Sequence, residues 1–147
     1  MIRNIFSKVL LAGALGIPAL ASAAAPVIDV YKSATCGCCE EWIKHLRSAG
    51  LKVKAHNVED TSVHRMKAGI PEQLGSCHTG IVRGYALEGH VPASDIKRLL
   101  KEKPKAKGLA VPGMPLGSPG MEGARKDAYD VLLVKANGST SVYKHYN

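Results

Sequence analysis

The alternation of apolar and polar side chains predicts several short strands in the first two thirds of the chain. The segment VIDVYK at residues 27–32 alternates and is rich in β-branched residues, so it predicts a first strand. The segment LKVKAHNV at residues 51–58 alternates in the same way and predicts a second strand. Two more strands are expected at residues 79–83 and 85–91, antiparallel to each other and joined by a turn at residues 83–84.

Apolar residues at helical spacing predict helices between these strands. Trp42 and Leu46 belong to the apolar face of a helix expected at about residues 38–48. The same reasoning predicts a second helix at about residues 60–69 and a third that begins at Pro92. The resulting order, β-α-β-α-β-β-α, is that of a thioredoxin-like α/β core. Its first two strands should be parallel, with a right-handed crossover.

The composition changes near the end of the third helix. Residues 103–123 are rich in Pro, Gly and Lys, and this density of chain-breaking residues predicts a long irregular segment without a strand or helix. Such segments in compact domains are usually functional or disordered. Alternation returns at residues 129–135 and 139–146, and the Asn-Gly pair at residues 137–138 predicts a β-hairpin with a type I′ turn.

The N-terminal residues have the features of a secretory signal peptide. Arg3 and Lys8 give a basic start, residues 9–20 are apolar, and the small residues at 21–25 fit an A-x-A cleavage site. We expect cleavage after Ala23 and a periplasmic protein. An uncleaved membrane anchor is the alternative, but the apolar stretch is shorter than the ~20 residues that a spanning helix needs. No later stretch reaches that length, so no membrane span is expected after cleavage.

The processed chain of 124 residues is long enough for one domain with its own core, so it needs no disulfides to fold. We divide the sequence into a signal peptide at residues 1–23, a thioredoxin-like domain at 24–103 and a C-terminal extension at 104–147 that packs on it. The net charge of +8 is spread over many lysines, as on a solvated surface. Export and the low aromatic content of 5% argue against nucleic-acid binding.

The cysteines lie in two short patches. Cys36, Cys38 and Cys39 follow the first strand and begin the first helix, at the sheet edge where sites form in open α/β sheets. Cys77 precedes the third strand, and in thioredoxin-like folds the loop at that place faces the CxxC motif, so both patches should meet. Free N–H groups at a helix start favour thiolates. Three thiolates within four residues suit a soft metal ion such as Cu(I). Cys36 and Cys39 also have the spacing of a thioredoxin-type redox pair, although the cysteine between them is a competing disulfide partner.

Two alternatives to metal binding remain for these cysteines. The first is structural disulfides, which an oxidising compartment permits. A bond from Cys36 to Cys38 or Cys39 would close a very small loop and add little stability by chain entropy. The second is a thiol–disulfide oxidoreductase that uses Cys36 and Cys39, with Cys77 as the resolving thiol.

Methionine and histidine residues near these patches are further ligand candidates. Met114 and Met121 lie in the irregular segment, each after a glycine and near prolines, which fits thioether ligands on a loop that closes over a copper site. The alternative is that both side chains are exposed or merely fill space. His90 ends the fourth strand and is a candidate ligand, whereas the role of His78, next to Cys77, is left open.

Four motifs, CGCC, SCHT, EGHVP and GMPLGSPGME, occur in this order, and together they resemble the CopG-like family. Its members are periplasmic proteins found with copper-resistance systems of Gram-negative bacteria. The resemblance implies a thioredoxin-like domain, an extension that contributes to metal binding and a copper cluster bridged by cysteine sulfur. Carried over to this sequence, it implies seven metal ligands: Cys36, Cys38, Cys39, Cys77, Met114, Met121 and His90.

The resemblance also implies a function in copper resistance. We expect a multinuclear copper site that interconverts Cu(I) and Cu(II) before the metal passes to a copper efflux system or a periplasmic copper carrier. Such chemistry needs no general acid or base, so none is assigned, and the chain is expected to be a monomer. The sequence does not separate this copper oxidoreductase from a passive copper chaperone.

Overall fold

The computed structural model describes residues 25–147. The expected signal peptide at residues 1–23 therefore lies outside the described residues. A mixed seven-stranded sheet and three α-helices make up the described part of the chain, which confirms the α/β class. The strands are β1 (Val27–Lys32), β2 (Lys52–Asn57), β3 (His78–Val82), β4 (Tyr85–Glu88), β5 (Ala106–Ala110), β6 (Tyr129–Lys135) and β7 (Thr140–Tyr146). The helices are α1 (Gly37–Ser48), α2 (Ser62–Lys67) and α3 (Ala93–Glu102), with a 3-10 turn at Glu72–Leu74.

The strands lie in the order β2-β1-β3-β4-β5-β6-β7. Strands β1 and β2 are parallel, as the β-α-β pattern predicts, and β4 and β5 form the other parallel pair. The remaining neighbours are antiparallel. No helix within residues 25–147 is long and apolar enough to cross a membrane.

Apolar side chains cover both faces of the sheet because neighbouring residues of a strand point to opposite faces. Leu87 and Leu109 join the larger core, in which α1 contributes Trp42. Burial of such side chains stabilises the fold by about 1.5–3 kcal/mol each. Alternate residues such as Ala86 join a smaller core on the other face, where Leu74 packs.

Strand β5 is a correction to the sequence analysis, which expected residues 103–123 to be irregular throughout. The strand lies between β4 and β6, in the interior of the sheet. Two features explain it: residues 105–111 contain no proline, and Gly108 permits a close approach to the neighbouring strand. A Cβ atom at Gly108 would lie 1.8 Å from the carbonyl oxygen of Ala86. The C-terminal hairpin therefore continues the same sheet.

The two hairpin turns differ. Arg83 and Gly84 both have positive φ, as a two-residue type I′ turn requires. The predicted type I′ turn at Asn137 is wrong, because Gly138 has a positive φ of 85° but Asn137 does not. Gly138 N–H donates to the Lys135 carbonyl at 2.9 Å, which fits a type I turn followed by a left-handed glycine. This hairpin has a longer loop, so β7 begins one residue later than predicted.

Candidate metal centre

The candidate centre lies where β1 ends and β3 begins. These strands are antiparallel, and the last residue of β1, Lys32, pairs with the first residue of β3, His78. The chain after β1 leads directly to Cys36 and helix α1, whereas Cys77 immediately precedes β3. The sheet register thus brings the two cysteine patches to one edge.

All four cysteine sulfurs form one compact group, with every Sγ within 4.8 Å of the others. Cys36 and Cys39 form a disulfide, while Cys38 and Cys77 are free thiols. The Cys77 Sγ lies 3.5 Å from the Cys39 Sγ and 3.8 Å from the Cys38 Sγ. Reduction of the disulfide would make four sulfur donors available at this point.

Two imidazoles face the same Cys77 sulfur. The His90 Nε2 lies 3.2 Å from the Cys77 Sγ, and the His78 Nδ1 lies 3.3 Å from it. His90 Nδ1–H donates to the Pro119 carbonyl at 2.8 Å, which leaves the Nε2 lone pair directed at the sulfur. The His78 Nε2 is buried and has no hydrogen-bond partner among the described residues. The sequence left the role of His78 open, and its position beside Cys77 was the available signal.

Burial controls the protonation of these groups. It lowers the pKa of His78 to about 3, with the nearby His90 as the next cause, and it also lowers the pKa of His90. Both rings are therefore neutral at pH 7 and can offer a lone pair to a metal ion. Burial, followed by the charge of Cys38, raises the pKa of Cys77 to about 12. A metal ion that binds Cys77 must displace this proton.

The connection between β1 and α1 is held by the buried lysine at the end of β1. The Lys32 ammonium forms an ion pair with Glu40 at 2.5 Å and donates to the Asn57 side chain at 3.0 Å. Trp42, one turn into α1, donates from Nε1 to the Val91 carbonyl at 2.8 Å. These contacts fix the start of α1, and with it the cysteines, against the sheet.

An irregular segment at residues 111–127, here called the covering loop, packs over the cysteines. Its first anchor is Gly113, which donates to the Gly75 carbonyl at 3.2 Å and accepts from the Ser76 hydroxyl at 2.5 Å. Its second anchor is the bond between Pro119 and His90. Next to that bond, Gly120 packs against the backbone of Cys38 and Trp42.

Each candidate methionine is adjacent to one of these anchors. Met121 is half-buried and follows Gly120, so the loop backbone carries it past the start of α1. Met114 follows Gly113, which is bonded to the segment before Cys77, and its side chain is 51% exposed. That either thioether ligates a metal ion stays a prediction.

A buried carboxylate that was not predicted from the sequence is bonded to residues on both sides of Cys77. Glu88, the last residue of β4, is fully buried and accepts hydrogen bonds from the Ser76 backbone N–H, the Thr79 hydroxyl and the Arg65 guanidinium. Burial raises the pKa of Glu88, and these three donors oppose the rise. Nothing in the local sequence distinguishes this glutamate from one on the surface.

The chain is similar to a protein family model and to solved structures. A family model described as "Protein of unknown function, DUF411" matches residues 74–121. A solved structure titled "Copper resistance protein copG- Form 2" is 50% identical, with a TM-score of 0.79, and the match covers 83% of this chain and 98% of that chain. "Copper resistance protein copG- Form 1" is also 50% identical, with a TM-score of 0.77 and coverage of 82% and 96%. The chain belongs to the CopG family.

This membership confirms the resemblance inferred from the four motifs. The stretch matched by the family model contains Cys77, His90 and both candidate methionines. No curated protein matches the chain. Within residues 25–147 of this CopG-family member, two groups of side chains could hold a metal ion: Cys36, Cys38, Cys39 and Cys77, and Cys77, His78 and His90.

Proposed function

We propose that this chain binds copper in a multinuclear, thiolate-bridged site and interconverts Cu(I) and Cu(II). The observation that carries the proposal is that the Cys77 sulfur belongs to two donor groups at once. One group consists of the four cysteine sulfurs, and the other joins Cys77 to the neutral rings of His78 and His90. The names of the similar structures, which are copper resistance proteins, support copper as the metal.

The two donor groups favour different oxidation states. Thiolates and thioethers select Cu(I), whereas imidazoles also suit Cu(II). A copper ion bound by the Cys77 sulfur could therefore exchange one electron with a redox partner while it keeps the same protein ligands. We assign Met114 and Met121 to the sulfur side of the site. The support for this assignment is that each follows a glycine of the covering loop, Gly113 or Gly120, that contacts Ser76 or the Cys38 backbone.

The Cys36–Cys39 disulfide must be reduced before the site can bind its full complement of copper. The Cys36–Cys39 bond removes two of the four sulfurs from metal binding. Its reduction consumes two electrons and two protons and yields two thiols, which lose their protons when copper binds. Full loading should therefore require reduced protein.

The proposal also covers the fold of the core, the location of the protein and the destination of its copper. We assign β1 to α3 to a thioredoxin-like core, which the strand order β2-β1-β3-β4 supports, and residues 104–147 to a metal-binding extension. We further propose that the protein is a monomer that works in the periplasm, and the signal-like sequence at residues 1–23 supports this location. The copper would pass to an efflux system or a periplasmic carrier.

A thiol–disulfide oxidoreductase is the second candidate, and the Cys36–Cys39 disulfide favours it. The Cys77 sulfur lies 3.5 Å from Cys39, so its thiolate could attack Cys39, form a new disulfide and release the Cys36 thiolate. The pKa of about 12 keeps Cys77 protonated at neutral pH, which opposes this step. Copper chemistry is the better-supported function, because the buried imidazoles of His78 and His90 lie beside Cys77 and the similar structures are named as copper resistance proteins.

The test begins with purified, reduced protein loaded with Cu(I) without oxygen. We expect several copper ions per chain by elemental analysis, and a reversible change in the absorption and EPR spectra during stepwise oxidation. Cys38→Ser should lower the copper stoichiometry, and His90→Ala should change the EPR signal. His145→Ala is the matched control, because His145 is exposed on β7 and bonded to Asp130.

Three other outcomes would contradict the proposal. Unchanged copper content in Cys38→Ser would exclude the thiolate-bridged cluster. Tight binding without reversible oxidation would identify a passive chaperone. Turnover of a disulfide substrate by metal-free protein would identify the oxidoreductase.

A further inference from the structure

Cys77 lies in a short irregular segment, although it is the residue that joins the two donor groups. Residues 75–77 lie between the 3-10 turn and β3, outside any regular element. The Cys77 sulfur nevertheless has neighbours at 3.2–3.8 Å in several directions. Interactions outside the local secondary structure must hold this segment in place.

One carboxylate holds the chain on both sides of Cys77. The Ser76 backbone N–H donates to the Glu88 Oε1 at 2.8 Å, one residue before the cysteine. The Thr79 hydroxyl donates to the Glu88 Oε2 at 2.6 Å, two residues after it. Glu88 itself cannot shift easily, because it ends β4 and is fully buried.

Arg65 of helix α2 forms an ion pair with this carboxylate and also donates to the segment at residues 75–77. Its Nη1 lies 3.2 Å from the Glu88 Oε1 and 3.4 Å from the Ser76 carbonyl oxygen. Its Nη2 forms an ion pair with Glu72 at 2.7 Å. Ser76 is therefore held at its N–H by Glu88 and at its carbonyl by Arg65.

Two glycines allow these groups to pack without space between them. A Cβ atom at Gly75 would lie 2.9 Å from the Arg65 Cζ. A Cβ atom at Gly89 would lie 2.7 Å from the Ser76 Cβ, and Gly89 has a positive φ of 72°. The segment before Cys77 thus packs closely against the Arg65 guanidinium and against the backbone of Gly89, the residue after β4.

We infer that Glu88, held by Arg65, is the positioning residue that places the Cys77 sulfur among the other donor atoms. A buried ion pair alone is weak evidence of a stabilising role, because apolar residues of similar volume often replace such a pair at no cost. Apolar residues could not make the hydrogen bonds to Ser76 and Thr79. The inference about copper rests on the proposed function, whereas the inference about the Cys77 thiol does not.

Four variants separate positioning from stability. Glu88→Ala removes both anchors, and Thr79→Val removes one anchor but leaves the buried ion pair intact. Glu88→Gln can still accept from Ser76, and its amide can donate to the Thr79 hydroxyl, so it should rescue the geometry. Glu72→Ala is the matched control, because the exposed Glu72 side chain bonds Arg65, whereas the only Glu72 atom bonded to residues 75–77 is its backbone carbonyl, which the substitution keeps.

The first readout is alkylation of reduced, metal-free full-length protein by iodoacetamide, followed by mass spectrometry of the peptides. The rate at Cys77 relative to Cys38 should rise about fivefold in Thr79→Val, the factor that one hydrogen bond is worth, and further in Glu88→Ala. It should stay at the wild-type value in Glu88→Gln and Glu72→Ala. The second readout is the thiolate-to-Cu(II) absorption band of copper-loaded protein. This band should shift in Thr79→Val and Glu88→Ala.

The result that overturns the inference is a lower melting temperature in Glu88→Ala and Thr79→Val with an unchanged alkylation ratio. That outcome would show that the ion pair has only a structural role. If Glu88→Ala does not fold, Thr79→Val still provides this test. If wild-type protein binds no copper, the proposed function fails, but the alkylation ratio still tests the placement of Cys77.

Discussion

Replacing Gly120 by alanine should lift the covering loop from helix α1. A Cβ atom at this position would lie 2.6 Å from the Cys38 carbonyl oxygen and 2.8 Å from the Trp42 backbone nitrogen. Both are backbone atoms of α1, so they cannot move aside as a flexible side chain could. The clash can be relieved only if the loop moves away from the helix.

The expected magnitude follows from two contributions. Gly120 has a φ of 87°, and an alanine in this left-handed region costs about 1–2 kcal/mol. A loop displaced by the clash also cannot make the hydrogen bond between His90 and Pro119 while it covers the cysteines, and this bond is worth about 1 kcal/mol to the closed state. A loss of about 2–3 kcal/mol would increase the open fraction of the loop roughly 30- to 150-fold.

The assay compares Gly120→Ala with Gly113→Ala in reduced, metal-free protein. Gly113 has a similar φ of 68°, but a Cβ atom there would have no neighbour within 4 Å, so only the backbone cost applies. Alkylation of Cys38 should be much faster in Gly120→Ala, and copper should leave the loaded protein sooner. Equal alkylation rates in the two variants would refute the idea that the loop covers the cysteines.

Three further predictions concern the disulfide, acid sensitivity and β5. Oxidised, denatured protein should show two thiols with Ellman's reagent and four after reduction, and four before reduction would contradict the disulfide. Burial lowers the pKa of His45, whose neutral Nε2 accepts from the Ala93 N–H, so stability should fall as the pH drops below about 6.5. Urea unfolding at several pH values should show a smaller fall in His45→Gln, and an equal fall would count against this cause. Gly108→Ala should cost more than about 4 kcal/mol in the same assay, whereas Gly123→Ala, with open space at its Cβ, should cost little.

Elements with a local signal could be predicted from the sequence. The observed bounds of β1 and β6 agree with the prediction, because alternation within each strand reports a face that is buried against the core. Helix α1 begins one residue earlier than expected and ends as predicted. The meeting of the two cysteine patches was predicted from the likeness of the element order to a thioredoxin-like core, and the antiparallel pairing of β1 with β3 brings them together.

Features that depend on distant partners could not be predicted in this way. Strand β5 is short and surrounded by prolines and lysines, and its reason to form is the neighbouring backbone of β4, to which Gly108 fits closely. Arg65 and Glu88 are 23 residues apart in the sequence. Charged residues are rarely buried, so the sequence alone predicts both side chains to be on the surface. The contact of Gly120 with α1 is likewise visible only in the fold.

The interior position of β5 has a consequence for how the protein is made and degraded. The ladder between β4 and β5 continues into the bond from the Val111 N–H to the Glu88 carbonyl. During synthesis, the edge of β4 stays unpaired until β5 has been added. All four cysteines are therefore synthesised before the strand and the covering loop that later enclose them. A protease cut between α3 and β5 would likewise not release a dispensable tail. It would free the strand that closes the middle of the sheet, and the thiols would lose their enclosure together with the fold.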